Sequence, residues 1–144
     1  RKSAGILASS SRGSIGKALE MMKQSYVTFK NEMIAKIIDW DKANDPFSCF
    51  SFVDDFGDGR QVIAERLDIL RDWYRDILIY KETGNAEYLI NPDVIDRTKS
   101  LSEKLSGEDI LNCVRAINRA YRAIEQNANK QLTLESMMFK LQAI

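Results

Sequence analysis

This chain predicts an all-α fold, a compact helical bundle, on three observations. Apolar residues recur three and four positions apart through most of its 144 residues, the spacing of one helix face. Seven Gly and two Pro are too few for a loop-rich or all-β design. The breakers that do occur fall between the periodic stretches, so they end helices rather than interrupt them. A chain of this length can bury roughly 70% of the surface its unfolded form exposes, enough for a real core.

The elements follow in order. Residues 3–8 read as a short helix, 9–13 as a loop and 14–22 as a second helix, with Ser14 placed to cap it through its hydroxyl. Helices this short enclose no core alone. Over residues 25–40 the stripe is Tyr26, Phe29, Met33, Ile37 and Trp40, and the polar stretch ending at Pro46 breaks it. Residues 47–56 are aromatic and read as another short helix, followed by a turn at Gly57-Asp58-Gly59.

Residues 61–82 form the central helix. Val62, Ile63, Leu67, Ile69, Leu70, Trp73, Tyr74, Ile77, Leu78 and Tyr80 fill about half its circumference, wider than the roughly 100° stripe of a surface helix, so it should touch several neighbours. Gly84 suits a C-cap, because it enters the left-handed region without a Cβ clash. Asn91-Pro92 opens the next helix, as N-cap and first helical position, and that helix runs to about Leu105. The run from Ser106 to Asp109 caps a further helix, whose stripe is Ile110, Val114, Ile117, Tyr121 and Ile124. A last helix starts near Lys130 and presents Leu134, Met137, Met138, Leu141 and Ile144 to the core.

Composition excludes several classes of function. Twenty-one basic and 21 acidic residues cancel, whereas a domain that grips phosphate backbones carries a basic excess. Histidine is absent and the two cysteines, Cys49 and Cys113, form no CxxC. A Ser-His-Asp triad, a His-ligated metal and a zinc ribbon therefore cannot be built. No catalytic, cofactor-binding or metal-ligating residue is expected. No apolar run reaches the roughly 20 residues of a membrane span. Arg1 stands where an initiator Met would, and no signal-type apolar stretch follows it, so the expectation is a piece of a longer cytoplasmic protein.

Two stretches carry a resemblance. Gly13-Ser14-Ile15-Gly16-Lys17-Ala18-Leu19 resembles the last helix of an AAA+ lid. In ATP-hydrolysing clamp-loader subunits an arginine stands two residues after that Ser and reaches the nucleotide phosphates; here the position is Gly16. The run from Asn127 to Glu135, with Trp73-Tyr74-Arg75-Asp76-Ile77-Leu78, is similar to the C-terminal part of bacterial DNA polymerase III delta-prime subunits. The resemblance implies two parts: residues 1–23 as the end of an AAA+ lid, and 24–144 as a helical collar (oligomerisation) domain. It also implies a non-ATPase scaffold that associates with the gamma/tau and delta subunits and meets DNA only through the complex. The equivalent domain of gamma/tau, and a helical DNA-binding regulator, are the alternatives. Gly16 and the absence of a G-x-x-x-x-G-K-[ST] loop count against an ATPase.

Individual residues divide into structural and contact candidates. Asp76 lies between the charged and apolar arcs of its helix and should be half-buried, needing a donor. Arg75 beside it lies in the charged arc. Asn127 and Asn129 flank the join of the last two helices, where Asn shapes corners and caps. Glu135 follows near the N-terminal end of the last helix, where a negative charge suits the dipole. Leu132 and Phe139 point away from that helix's core face, and Ile79 sits alone among charges on the central helix. These three are the candidates for a subunit interface. Arg115, Arg119 and Arg122 share one face opposite an apolar stripe; a solvated face, a phosphate groove and a partner's acidic face all remain open. Calorimetric titration of the chain with ATP should give no binding at micromolar concentration, and micromolar affinity would overturn the non-ATPase reading.

Overall fold

In the computed structural model, residues 12–43 and 52–142 are described, and among them five α-helices and three short 3-10 turns account for the regular structure. The helices are α1 (Arg12–Ala43), α2 (Arg60–Thr83), α3 (Ile95–Lys104), α4 (Gly107–Glu125) and α5 (Lys130–Gln142). The chain divides into two compact units, Arg1–Glu32 and Met33–Ile144, with the division inside α1.

One helix, α1, replaces the two expected over residues 14–22 and 25–40. The physical reason is local: Lys23 and Gln24 favour helix and no Gly or Pro separates the segments. Because the helix begins at Arg12, Ser14 lies inside its first turn rather than ahead of it. The short helix expected over residues 3–8 lies outside the described residues. In the first unit, α1 leaves Leu19, Met21 and Met22 half or more exposed.

The second unit holds a layered core. Leu67, Leu70, Trp73, Tyr74 and Ile77 of α2 are at most 2% exposed. Against α2 pack α3, through Thr98 and Leu101, and α4, through Ile110, Cys113 and Ile117. The next layer is α5, which packs on α4 and buries Leu134, Met137, Met138 and Leu141. Met33, Ile34 and Ile37 of α1 are buried as well, and so is Phe56 in the 3-10 turn Asp54–Phe56. Of the helix expected over residues 47–56, only this turn falls within a described regular element. Each fully buried aliphatic or aromatic side chain contributes roughly 1.5–3 kcal/mol relative to exposure.

Polar bonds fix how the layers meet. Trp73 donates its indole N–H to Thr98 Oγ1 at 3.1 Å, and Thr98 donates in turn to the Val94 carbonyl. Lys81 Nζ reaches the Ser102 carbonyl at 2.9 Å, tying the C-terminal end of α2 to α3. Between α2 and α4, Arg71 donates to Asn118 Oδ1 at 3.1 Å while its guanidinium lies over the Tyr121 ring. At the C-terminal end of α2 Gly84 adopts φ 65° and donates its N–H to the Tyr80 carbonyl. A full capping box opens α4: Ser106 Oγ accepts from the Asp109 N–H, and the Asp109 carboxylate accepts from the Ser106 N–H. The side chain of Asn91 makes no capping bond to the 3-10 turn Pro92–Val94.

The buried thiol of Cys113 is chemically quiet. Burial pushes its pKa up to about 12, and the Asp109 carboxylate adds to that, while the Tyr74 hydroxyl acts in the opposite sense. Burial also holds the Tyr74 hydroxyl well above its ordinary value. As the thiolate is the reactive form, Cys113 behaves here as a small apolar residue.

Leu70 lies near the middle of α2 at 2% exposed. Leu70→Ala should lower the free energy of unfolding by roughly 2–5 kcal/mol, from lost burial plus a cavity. Denaturant titration measures it, and an unchanged midpoint would show that the centre of the core lies elsewhere.

Candidate subunit-contact surface

Asp76 is the least expected of the polar residues. It is fully buried rather than half-buried, and its two carboxylate oxygens accept the backbone N–H groups of Ile90 and Asn91 at 2.8 Å each. The donors belong to the connection between α2 and α3, so the carboxylate replaces the hydrogen bonds those N–H groups would otherwise lack. The same connection begins with Asn85, whose side chain accepts from the Glu87 N–H at 2.9 Å. It carries Tyr88 at 62% and Ile90 at 55% exposed. Arg75, the neighbour of Asp76 in sequence, is exposed.

The corner between α4 and α5 is built by the two asparagines. Asn127 has φ 60°, a left-handed conformation that Asn tolerates better than most residues. Asn129 precedes α5 and its Oδ1 accepts from the Leu132 N–H at 2.8 Å, an N-cap. Arg60 at the start of α2 lies within 3.3 Å of the Glu125 carbonyl and 3.4 Å of Asn127 Oδ1. Lys130 reaches back to the Gly57 carbonyl at 2.9 Å and to Asp58 at 2.7 Å. The Lys130 ammonium accordingly holds the Asp58 carboxyl below its ordinary value. Gly57 is needed there: at φ 75° a Cβ would meet Val62 and Arg66 at 3.2 and 3.3 Å.

Beyond that corner α5 is apolar on two sides. Its inner face is buried, while Leu132 is 65% and Phe139 44% exposed. Glu135, in the second turn, accepts from Gln131 at 3.0 Å and is half-buried. Ile79 on α2 is also partly exposed. Arg115, Arg119 and Arg122 are all exposed on α4, and Arg115 bonds its own helix through Asn112 at 3.1 Å. The structure brings Leu132 and Arg119 together along one open groove, with Lys140. Ile79 does not line that groove. Lys140 and Lys130 escaped the sequence reading. For Lys140 the signal was helical spacing, since Leu132, Ser136 and Lys140 recur every four residues.

Among the described residues no cluster of His, Cys, Asp and Glu could hold a metal ion, and no helix is long and apolar enough to cross a membrane. Pinned corners carry exposed apolar side chains beside cations. Residues 29–143 match the family model described as DNA polymerase III, delta subunit, C terminal. The chain belongs to that family. It thus contains a domain of a clamp-loader subunit of DNA polymerase III. No curated protein and no solved structure matches it.

Both the Trp73–Ile77 core segment and the Asn127–Asn129 corner of this delta-family domain fall inside the matched span. Asp76→Ala would leave two N–H groups without an acceptor, one of them buried. Thermal or denaturant unfolding should register a loss of roughly 2–5 kcal/mol. Amide exchange at Ile90 and Asn91 should accelerate more than exchange in α4. Uniform acceleration everywhere would show that Asp76 does not anchor this connection.

Proposed function

We propose that this domain is the collar of a delta-prime-type subunit, which binds the gamma/tau and delta subunits and does not hydrolyse ATP. The observation that carries the reading is the two-sided apolar surface of α5 in a domain of clamp-loader family. Exposed Leu132 and Phe139 sit on a helix whose inner face is already satisfied by the core. Large side chains left outside a completed core favour contact with another protein. Residues 1–23 are the end of an AAA+ lid and 24–144 the collar.

Gly16 supports the non-hydrolysing role. A Cβ built there meets nothing within 4 Å among the described residues. Packing of the described residues therefore does not demand a glycine at this position, where an ATPase subunit would carry an arginine. The role is binding and scaffolding, in the cytoplasm, with DNA met only through the assembled loader. A gamma/tau domain would carry the arginine. A DNA-binding regulator would carry a basic excess, which the zero formal charge does not provide.

Phe139→Lys should leave the helical circular dichroism and melting of the full chain unchanged, because Phe139 lies opposite the buried Leu134–Met138–Leu141 face. Association with gamma/tau and delta should weaken at least tenfold, about 1.4 kcal/mol. Surface plasmon resonance against the purified subunits reads the change. An unfolded variant would place Phe139 in the core, and normal assembly would show that its face meets only water.

A further inference from the structure

An open groove of about 240 Å³ runs along the junction of α4 and α5. Its floor includes Ala116, Ala120 and Met137, all buried, and its sides include Arg119 and Lys140, both exposed. Leu132 adds apolar surface, Thr133 and Ser136 add small hydroxyls, and among the described residues no acidic side chain lines the groove. Two cations thus flank a largely apolar trough.

We propose that this groove seats an acidic amphipathic helix of another clamp-loader subunit. A large apolar side chain would lie on the alanine and methionine floor. Carboxylates on either side of it would bond Arg119, whose fork matches a carboxylate, and Lys140. Charge complementarity decides the sign of the partner. The backbone groups of both walls are already bonded within helices, so recognition falls to side chains, and a helix laid in the groove is the mode that fits. Nucleic acid is the poorer occupant, because the floor is apolar and the chain carries no net charge. A second copy is poorer too, since a two-fold contact centred on the groove would bring Arg119 and Lys140 onto like charges. The proposal rests on the collar reading and says which chemistry the partner presents.

The test uses the full chain and the purified remaining loader subunits as probe. Arg119→Glu combined with Lys140→Glu should weaken association at least tenfold without lowering the melting temperature. Arg115→Glu, which also removes an exposed cation of α4 but does not line the groove, should associate as the parent does. A photo-crosslinking phenylalanine at Ser136 should capture a partner peptide that contains Asp or Glu, and changing those acids to Lys should restore binding to the double variant. If the parent chain associates with no loader subunit, the collar reading fails and takes this inference with it. If the parent and the double variant associate equally well, the inference alone falls. A crosslink to a second copy of the chain, or duplex DNA binding lost in the double variant while subunit association persists, overturns the acidic-helix partner. Should the double variant unfold, the crosslink on the otherwise native groove decides the question by the same outcomes.

Discussion

The carboxylate of Asp76 is the interaction on which the rest of the bundle is arranged. A charge with no exposed surface must be met by donors, and here they are two backbone N–H groups at 2.8 Å. That requirement brings the chain after α2 back over the helix it has just left. The returning segment then starts α3 where Thr98 can accept from Trp73, three residues before Asp76. Two polar contacts one turn apart on α2 thus set the position of α3. The apolar surface of α2 that remains is closed by α4, through Ile110, Cys113 and Ile117.

Much of this order could be read from the residues. The width of the apolar arc on α2 foretold its several neighbours, and Gly84 and the Ser106–Asp109 run marked helix ends that the structure places there. These signals are local, so sequence carries them. Other features are not local. The depth of Asp76 depends on a segment 14 and 15 residues away, and a helical wheel places it only at the edge of the apolar arc. Asn91 has the composition of an N-cap, yet its backbone N–H is taken by Asp76 and its side chain makes no capping bond. The break expected between residues 22 and 25 failed for the opposite reason: two short motifs were separated on the page by residues that favour helix. The groove needed two helices to be seen side by side. Neither Ala116 and Ala120 on α4 nor Lys140 on α5 stands out on its own helix; each gains meaning only beside the other helix.

The chemistry available follows from the same burial. The thiol of Cys113, its pKa pushed up to about 12, is enclosed beside Tyr74. The cations that remain accessible stand at helix surfaces, and most of the large apolar side chains outside the core lie on α1, on α5 and on the connection after α2, with Val62 on α2 and Leu111 on α4 besides. Such a distribution favours recognition, in a domain whose family belongs to an assembly that must hold several proteins together.

The corner at Asn127 has a consequence for the strength of such recognition. Asn129 caps α5, Lys130 is held to Gly57 and Asp58, and Arg60 reaches the end of α4. The walls on either side of the α4–α5 junction are thereby set before any partner arrives. Association usually sacrifices conformational freedom in both molecules, roughly 0.5–1.5 kcal/mol for each long side chain immobilised. With the backbone already ordered, a partner seated in the proposed groove would confine that loss on this side to a few flexible tips such as those of Arg119 and Lys140. A modest contact area can then give a durable complex, because little of its energy is consumed in ordering the surface that receives it.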